Sequence, residues 1–251
     1  MKRSIKSLIG FTIGATDGEI GKVKEFYFDD ETWTIRYLIV ETGSWLFGRK
    51  VLISPMALLT PDWKKNIFPI NLSMEQIKNS PAIDTEKPVS RQQELELYAY
   101  YPWGSYWGSG FYAGGMRPPV SMYNVLLKED DNEVIKEPQG DQHLRSSDQV
   151  TGYNIKASDG EIGNVEDFLI DDSNWKIDFL VIDAGNWFHG KTVLISPKWI
   201  KEIKWETSEV IVNVSRERVK NSPSYDIGQP LNEAYETKLY NHYDGLISHL
   251  M

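Results

Sequence analysis

Cysteine is absent from the 251 residues, which excludes disulfides, thiolate metal sites and cysteine nucleophiles together. No stretch approaches the roughly 18 to 20 consecutive apolar residues that would span a bilayer as a helix. The opening MKRSIKSLIG is basic, but its apolar run is broken by Ser7 and Gly10, so no leader peptide is expected. Histidine is scarce: His143, His189, His242 and His249 lie far apart, without the spacing of a zinc site. There is no GxSxG elbow, no Walker loop and no GxGxxG fingerprint. Positive charge is also in short supply. The net charge is −9, and residues 148–251 carry 10 basic against 17 acidic side chains. A field of that sign repels phosphate, so nucleic acid is not an expected partner.

A repeat is the dominant feature that is present. A shift of 142 residues lays residues 10–55 over 152–197 without a gap, and 23 of these 46 positions are identical. The match continues in NLSMEQIKNSP (71–81) over NVSRERVKNSP (213–223), and Tyr98 and Tyr101 fall on Tyr240 and Tyr243. One unit of about 90 residues is therefore written twice. The expected organisation is a first repeat with a helical tail at 1–97, a linker at 98–147, and a second repeat with its tail at 148–251. Trp33/Trp175, Trp45/Trp187 and Trp63/Trp205 persist while neighbouring charges change sign, as at Arg36 and Asp178. That pattern predicts core aromatics and solvated charges.

The local signals are those of β structure. Asp17-Gly18 and Asp159-Gly160 mark turns, and Asp29-Asp30 and Asp171-Asp172 open hairpin loops. Val23 and Phe26, like Val165 and Phe168, are three apart, predicting a bulge near Lys24–Glu25 and Glu166–Asp167. Trp33, Ile35, Tyr37 and Ile39 alternate along the next strand, with Arg36 half-exposed on its other face. Short strands are expected at Val51–Ile53 and Val193–Ile195 and at Ile67–Asn71 and Val210–Val214. Ser73, Ser90, Ser215 and Asn232 stand at helix-cap positions. The expected fold is mainly β: two small β-barrels in tandem, each with a short C-terminal helical tail, joined by a Gly/aromatic-rich linker.

The pattern G-x-x-[IV]-x-[AS]-[ST]-D-G-E-I-G-x-V-x-[ED]-F, followed by W-x-I-x-[YF]-L and V-L-I-S-P, resembles the PRC-barrel domain. That domain is known from the cytoplasmic part of the photosynthetic reaction-centre H subunit and from a ribosome-maturation factor. The tails resemble those of soluble, often tandem, stress-associated members. The resemblance implies small barrels that serve mainly as adaptors. It transfers no site residue, because neither a membrane helix like the H subunit's nor an N-terminal domain like the ribosome factor's is expected ahead of the repeats.

Candidate chemistry is thin. The acidic clusters lack the spacing of a calcium loop and are expected to cap turns, so no metal and no cofactor is assigned. A non-catalytic protein is expected. The segment YAYYPWGSYWGSGFY (98–112) holds eight aromatics in 15 residues. Tyr101, Trp103, Tyr106, Trp107, Phe111 and Tyr112 are the candidate partner-binding residues, since Tyr and Trp bring large contact area at low entropic cost. The expected function is a cytoplasmic adaptor or scaffold, stress-related by its resemblance, with a protein partner. A small-ligand or metal-responsive binding protein is the alternative, and a peripheral component of a photosynthetic or other membrane complex is a third reading. The repeats are expected to pair as an intramolecular pseudo-twofold or to form a homo-oligomer.

Overall fold

The computed structural model describes residues 1–81, 89, 91–101, 143–185, 190–227 and 229–244. The fold is mainly β. Two compact units form, and each draws on separate stretches of chain. Unit 1 contains Met1–Ile9, Glu25–Arg36 and Arg145–Met251, and unit 2 contains Gly10–Lys24 and Tyr37–Leu144.

In unit 2, β2 (Thr12–Gly14) runs antiparallel to the first part of β3 (Glu19–Asp29) and parallel to β6 (Ile67–Pro69). The second part of β4 (Thr34–Thr42) pairs with β5 (Lys50–Ile53), Leu38 opposite Ile53. Ile13, Ile20, Val23, Tyr37, Ile39, Ile53 and Phe68 are fully buried or nearly so and make the core. Helix α2 (Met74–Lys78) starts at Ser73 with a complete capping box to Gln76, as its sequence signature predicts. Helix α3 (Arg91–Tyr100) follows. The cap expected at Ser90 lies outside the described residues.

Unit 1 is built around β9 (Gly160–Asp171). It pairs antiparallel with β8 (Asn154–Ala157), with β10 (Lys176–Asp183) and with β1 (Lys2–Ser4). β11 (Thr192–Ile195) pairs with β10. β13 (Glu209–Val212) runs parallel to β8 and carries β12 (Ile200–Lys204) on its other side. Among the described residues this pairing runs β12-β13-β8-β9-β10, with β11 branching from β10, and does not close on itself. β12 has no counterpart in the sequence expectation, because Ile200 and Ile203 are three apart and give no strand period. Helices α1 (Ile5–Leu8) and α4 (Ser147–Val150) are single turns; helices α5 (Arg216–Asn221) and α6 (Glu233–Asp244) follow β13, capped by Ser215 and by the Asn232 side chain, which accepts from the Tyr235 amide.

The predicted bulge is present in the second copy. Val181 faces Asp167 and Ile182 faces Val165, so Glu166 is the extra residue. A second bulge lies in β10, where Asp178 falls between the Ile177–Ile170 and Phe179–Leu169 pairs.

Three expectations need correction. Trp33 and Trp175 do not lie in their strands: they close the preceding turns at φ 57° and 59°, their amides donating to the Asp29 and Asp171 carbonyls at 2.8 Å. A four-residue hairpin loop ends in the left-handed region, and Trp33 tolerates that backbone while its ring stacks on Phe28 at 5.4 Å. Trp45, Trp63, Trp175 and Trp205 are half-buried rather than core, and Trp187 lies outside the described residues. Finally, the sign-changing charges are not free surface groups: Arg36 is buried and Asp178 half-buried. Arg36 is 4% exposed, 3.5 Å from the Asp29 carboxylate, and Asp178 accepts a hydrogen bond from the Lys2 ammonium.

Candidate interaction site

The acidic turns do structural work in both copies. The Asp29 carboxylate accepts from the Thr32 amide at 2.7 Å and from the Thr32 hydroxyl at 2.9 Å, and Asp171 accepts from the Ser173 amide and hydroxyl at 2.9 and 2.6 Å. Asp17 reaches further along the chain and accepts from the Met74 amide at 2.8 Å, at the start of α2. Asp159 does the same for Arg216 at 2.7 Å, at the start of α5. Each satisfies a donor that a helix N-terminus leaves open.

The opposite ends of these helices are held by a cation. The Arg49 guanidinium donates to the Ser80 and Pro81 carbonyls at 3.0 and 2.8 Å and to the Lys78 carbonyl at 3.3 Å. Lys191, its counterpart, donates to the Lys220 carbonyl at 2.7 Å and also to that of Ser222. A cation suits the negative end of a helix, and the carbonyls need a partner. Burial lowers the Lys191 pKa. Sequence reasoning missed this pair, although the K/R character shared by the two positions is a usable signal.

The tails are pinned by buried tyrosines. Tyr101 is 1% exposed, its amide donating to the Leu97 carbonyl at 2.8 Å, and Tyr243 is equally buried. Burial raises both phenols to about 12, while Ser80 and Ser222 beside them pull the other way. Tyr37 donates to Glu94 of α3 at 2.9 Å, and the Tyr100 hydroxyl donates to the Gln76 carbonyl of α2 at the same distance. In the second copy Trp199 stacks near Tyr243 with centroids 4.2 Å apart.

Of the six residues expected to bind a partner, Tyr101 is therefore the buried anchor at the end of α3. Trp103, Tyr106, Trp107, Phe111 and Tyr112 lie outside the described residues. Among the described residues no group of three or more His, Asp or Glu side chains is placed to hold a metal ion. His189 lies outside the described residues, and His242 Nε2–H donates to the Arg218 carbonyl at 2.7 Å. Among the described residues no helix is long and apolar enough to cross a membrane.

A mainly β chain with a duplicated DGEIG strand signature defines a class of small β-domain proteins. The PRC-barrel domain signature matches residues 2–67 and 148–219, more than half of the chain and both copies. The chain belongs to the PRC-barrel family and carries the domain in tandem. No curated protein matches it.

Proposed function

We propose that the chain is a non-catalytic cytoplasmic adaptor or scaffold, in a stress-related setting, that docks a protein partner through the aromatic segment after α3. The observation that carries this reading is the burial of Tyr101 at the head of that segment. Tyr101, buried in unit 2, fixes its first residue, and the next 11 residues bring Trp103, Tyr106, Trp107, Phe111 and Tyr112 in a Gly/Ser-rich context. A rigid anchor followed by aromatics in a polar, glycine-rich context is well suited to peptide-like docking. The carboxylates and cations of the described turns are engaged in capping, which favours a scaffold over an acid–base site.

The test is an affinity capture from the source cells, comparing the full chain with one lacking residues 102–117, which spares Tyr101. A partner retained by the full chain and lost by the deletion supports the reading. Equal capture by both would move docking to a domain face, and capture by neither would overturn the adaptor role.

A further inference from the structure

Within unit 1 the short strand ahead of each repeat bonds to the long strand of the other repeat. β1 (Lys2–Ser4) lies along β9, with Lys2 opposite Asp171 and Ser4 opposite Leu169. Lys2, Arg3 and Ser4 correspond to Leu144, Arg145 and Ser146 at the repeat shift of 142. Arg145 and Ser146 belong to β7 (Leu144–Ser146), and they bond to the residues equivalent to those that β1 meets. Arg3 Nε donates to Asp172 at 2.6 Å, and Arg145 Nε donates to Asp30 at 2.8 Å. The Ser4 hydroxyl donates to Asp167, and the Ser146 hydroxyl donates to Glu25 at 2.6 Å. The hairpin tips also join: the Ile35 amide donates to the Trp175 carbonyl at 2.8 Å, and the Ile177 amide donates to that of Trp33 at 2.7 Å.

These shared contacts cannot tell the two crossings apart, because each strand could make them with either partner. One set of residues can. In the second copy Asp171 and Asp178 both accept from Lys2 Nζ, the first at 2.9 Å. In the first copy Asp29 already has Arg36 at the position of Asp178, and the counterpart of Lys2 is the uncharged Leu144. If each strand returned to its own repeat, Lys2 would meet the Asp29–Arg36 pair and add a second cation. Leu144 would then leave Asp171 and Asp178 without a cation between them. Like-charge repulsion and an uncompensated, partly buried carboxylate pair both oppose that arrangement.

We propose that this exchanged charge set is a pairing code: Lys2 set against Asp171 and Asp178, and an uncharged Leu144 at the repeat position whose long strand carries the self-sufficient Asp29–Arg36 pair, direct each leading strand to the other repeat. The duplication thereby closes the edges of both long strands with the chain's own segments. The inference is independent of the docking role of the aromatic segment.

The test is a set of full-chain variants read by thermal unfolding and by hydrogen exchange of the amides at 2–4 and 169–171. Lys2→Leu should lower the unfolding midpoint by about 4 °C and raise exchange at both sites. The double variant Lys2→Leu/Asp178→Arg rebuilds the first copy's set in the second and should restore both readings. Leu144→Lys should also destabilise, and Arg36→Asp/Leu144→Lys should recover the loss. Losses that simply add in the double variants, or unchanged exchange in Lys2→Leu, would overturn the code. Should a double variant fail to fold, the two single variants still decide. The code requires loss from both, whereas a general effect of net charge would move them in opposite directions.

Discussion

The last glycine of DGEIG is the most exacting position in each repeat, and its replacement by alanine gives a sharp test of the packing. A Cβ built on Gly163 would stand 2.0 Å from the Asp183 carbonyl oxygen and 2.9 Å from Ala184 Cα. On Gly21 it would stand 2.0 Å from the Glu41 oxygen and 2.8 Å from Thr42 Cα. The obstructing atoms are backbone on the neighbouring strand, held by its own ladder, so no rotamer change relieves them. The strands would have to part by about 1 Å or more, an overpacking that costs about 3 kcal/mol. For a chain of this size that is a fall of about 6–12 °C in unfolding midpoint. Urea unfolding followed by far-UV circular dichroism and tryptophan fluorescence measures it, with Gly163→Ala reporting on unit 1 and Gly21→Ala on unit 2. The control is Gly14→Ala, where the nearest atom is Ile67 Cγ2 at an ordinary 3.5 Å and a change within about 0.5 kcal/mol is expected. A loss of under about 0.5 kcal/mol in both Gly163→Ala and Gly21→Ala would refute the argument that backbone approach dictates this residue.

Two further predictions rest on the buried polar groups. Tyr37→Phe removes the 2.9 Å bond to Glu94, a carboxyl with no exposed surface, and should cost about 1–3 kcal/mol by urea unfolding. A change near zero would show that α3 does not depend on this bond. Asp171 supplies an acid-limb prediction: burial raises its pKa, but the Ser173 hydroxyl and amide and the Lys2 ammonium outweigh that and hold it below the usual carboxylate range. A depressed folded value means its stabilisation is complete above about pH 4 and fades as pH falls below that. Asp171→Asn should therefore flatten the fall in unfolding midpoint between about pH 4 and about pH 2, and an unchanged slope would refute the assignment.

The repeat made much of the fold readable. Two copies of the Asp-Gly and Asp-Asp pairs located the turns, the repeated Val-to-Phe spacing located the Glu166 bulge, and Ser73 and Ser215 marked the caps, because those features are fixed within a few residues of chain. The candidate docking residues were legible only as a composition. The structure shows Tyr101 to be a core anchor, which a run of aromatics without a period could not reveal.

By itself the sequence determined the mainly β class, the tandem family membership, the turn chemistry and the helix caps, all of which depend on local spacing. Tertiary structure alone decided what the sign-changing charges do. Arg36 and Asp178 look like drifting surface residues because their partners' roles emerge only in the folded chain: Arg36 pairs with Asp29, whereas Asp178 bonds to Lys2, 176 positions away. A charge is solvated or buried according to what stands opposite it, and that is set by which strands meet. Strand meetings over such separations leave no local period in the sequence, so the crossing of the leading strands and the compact units they build became visible only in three dimensions.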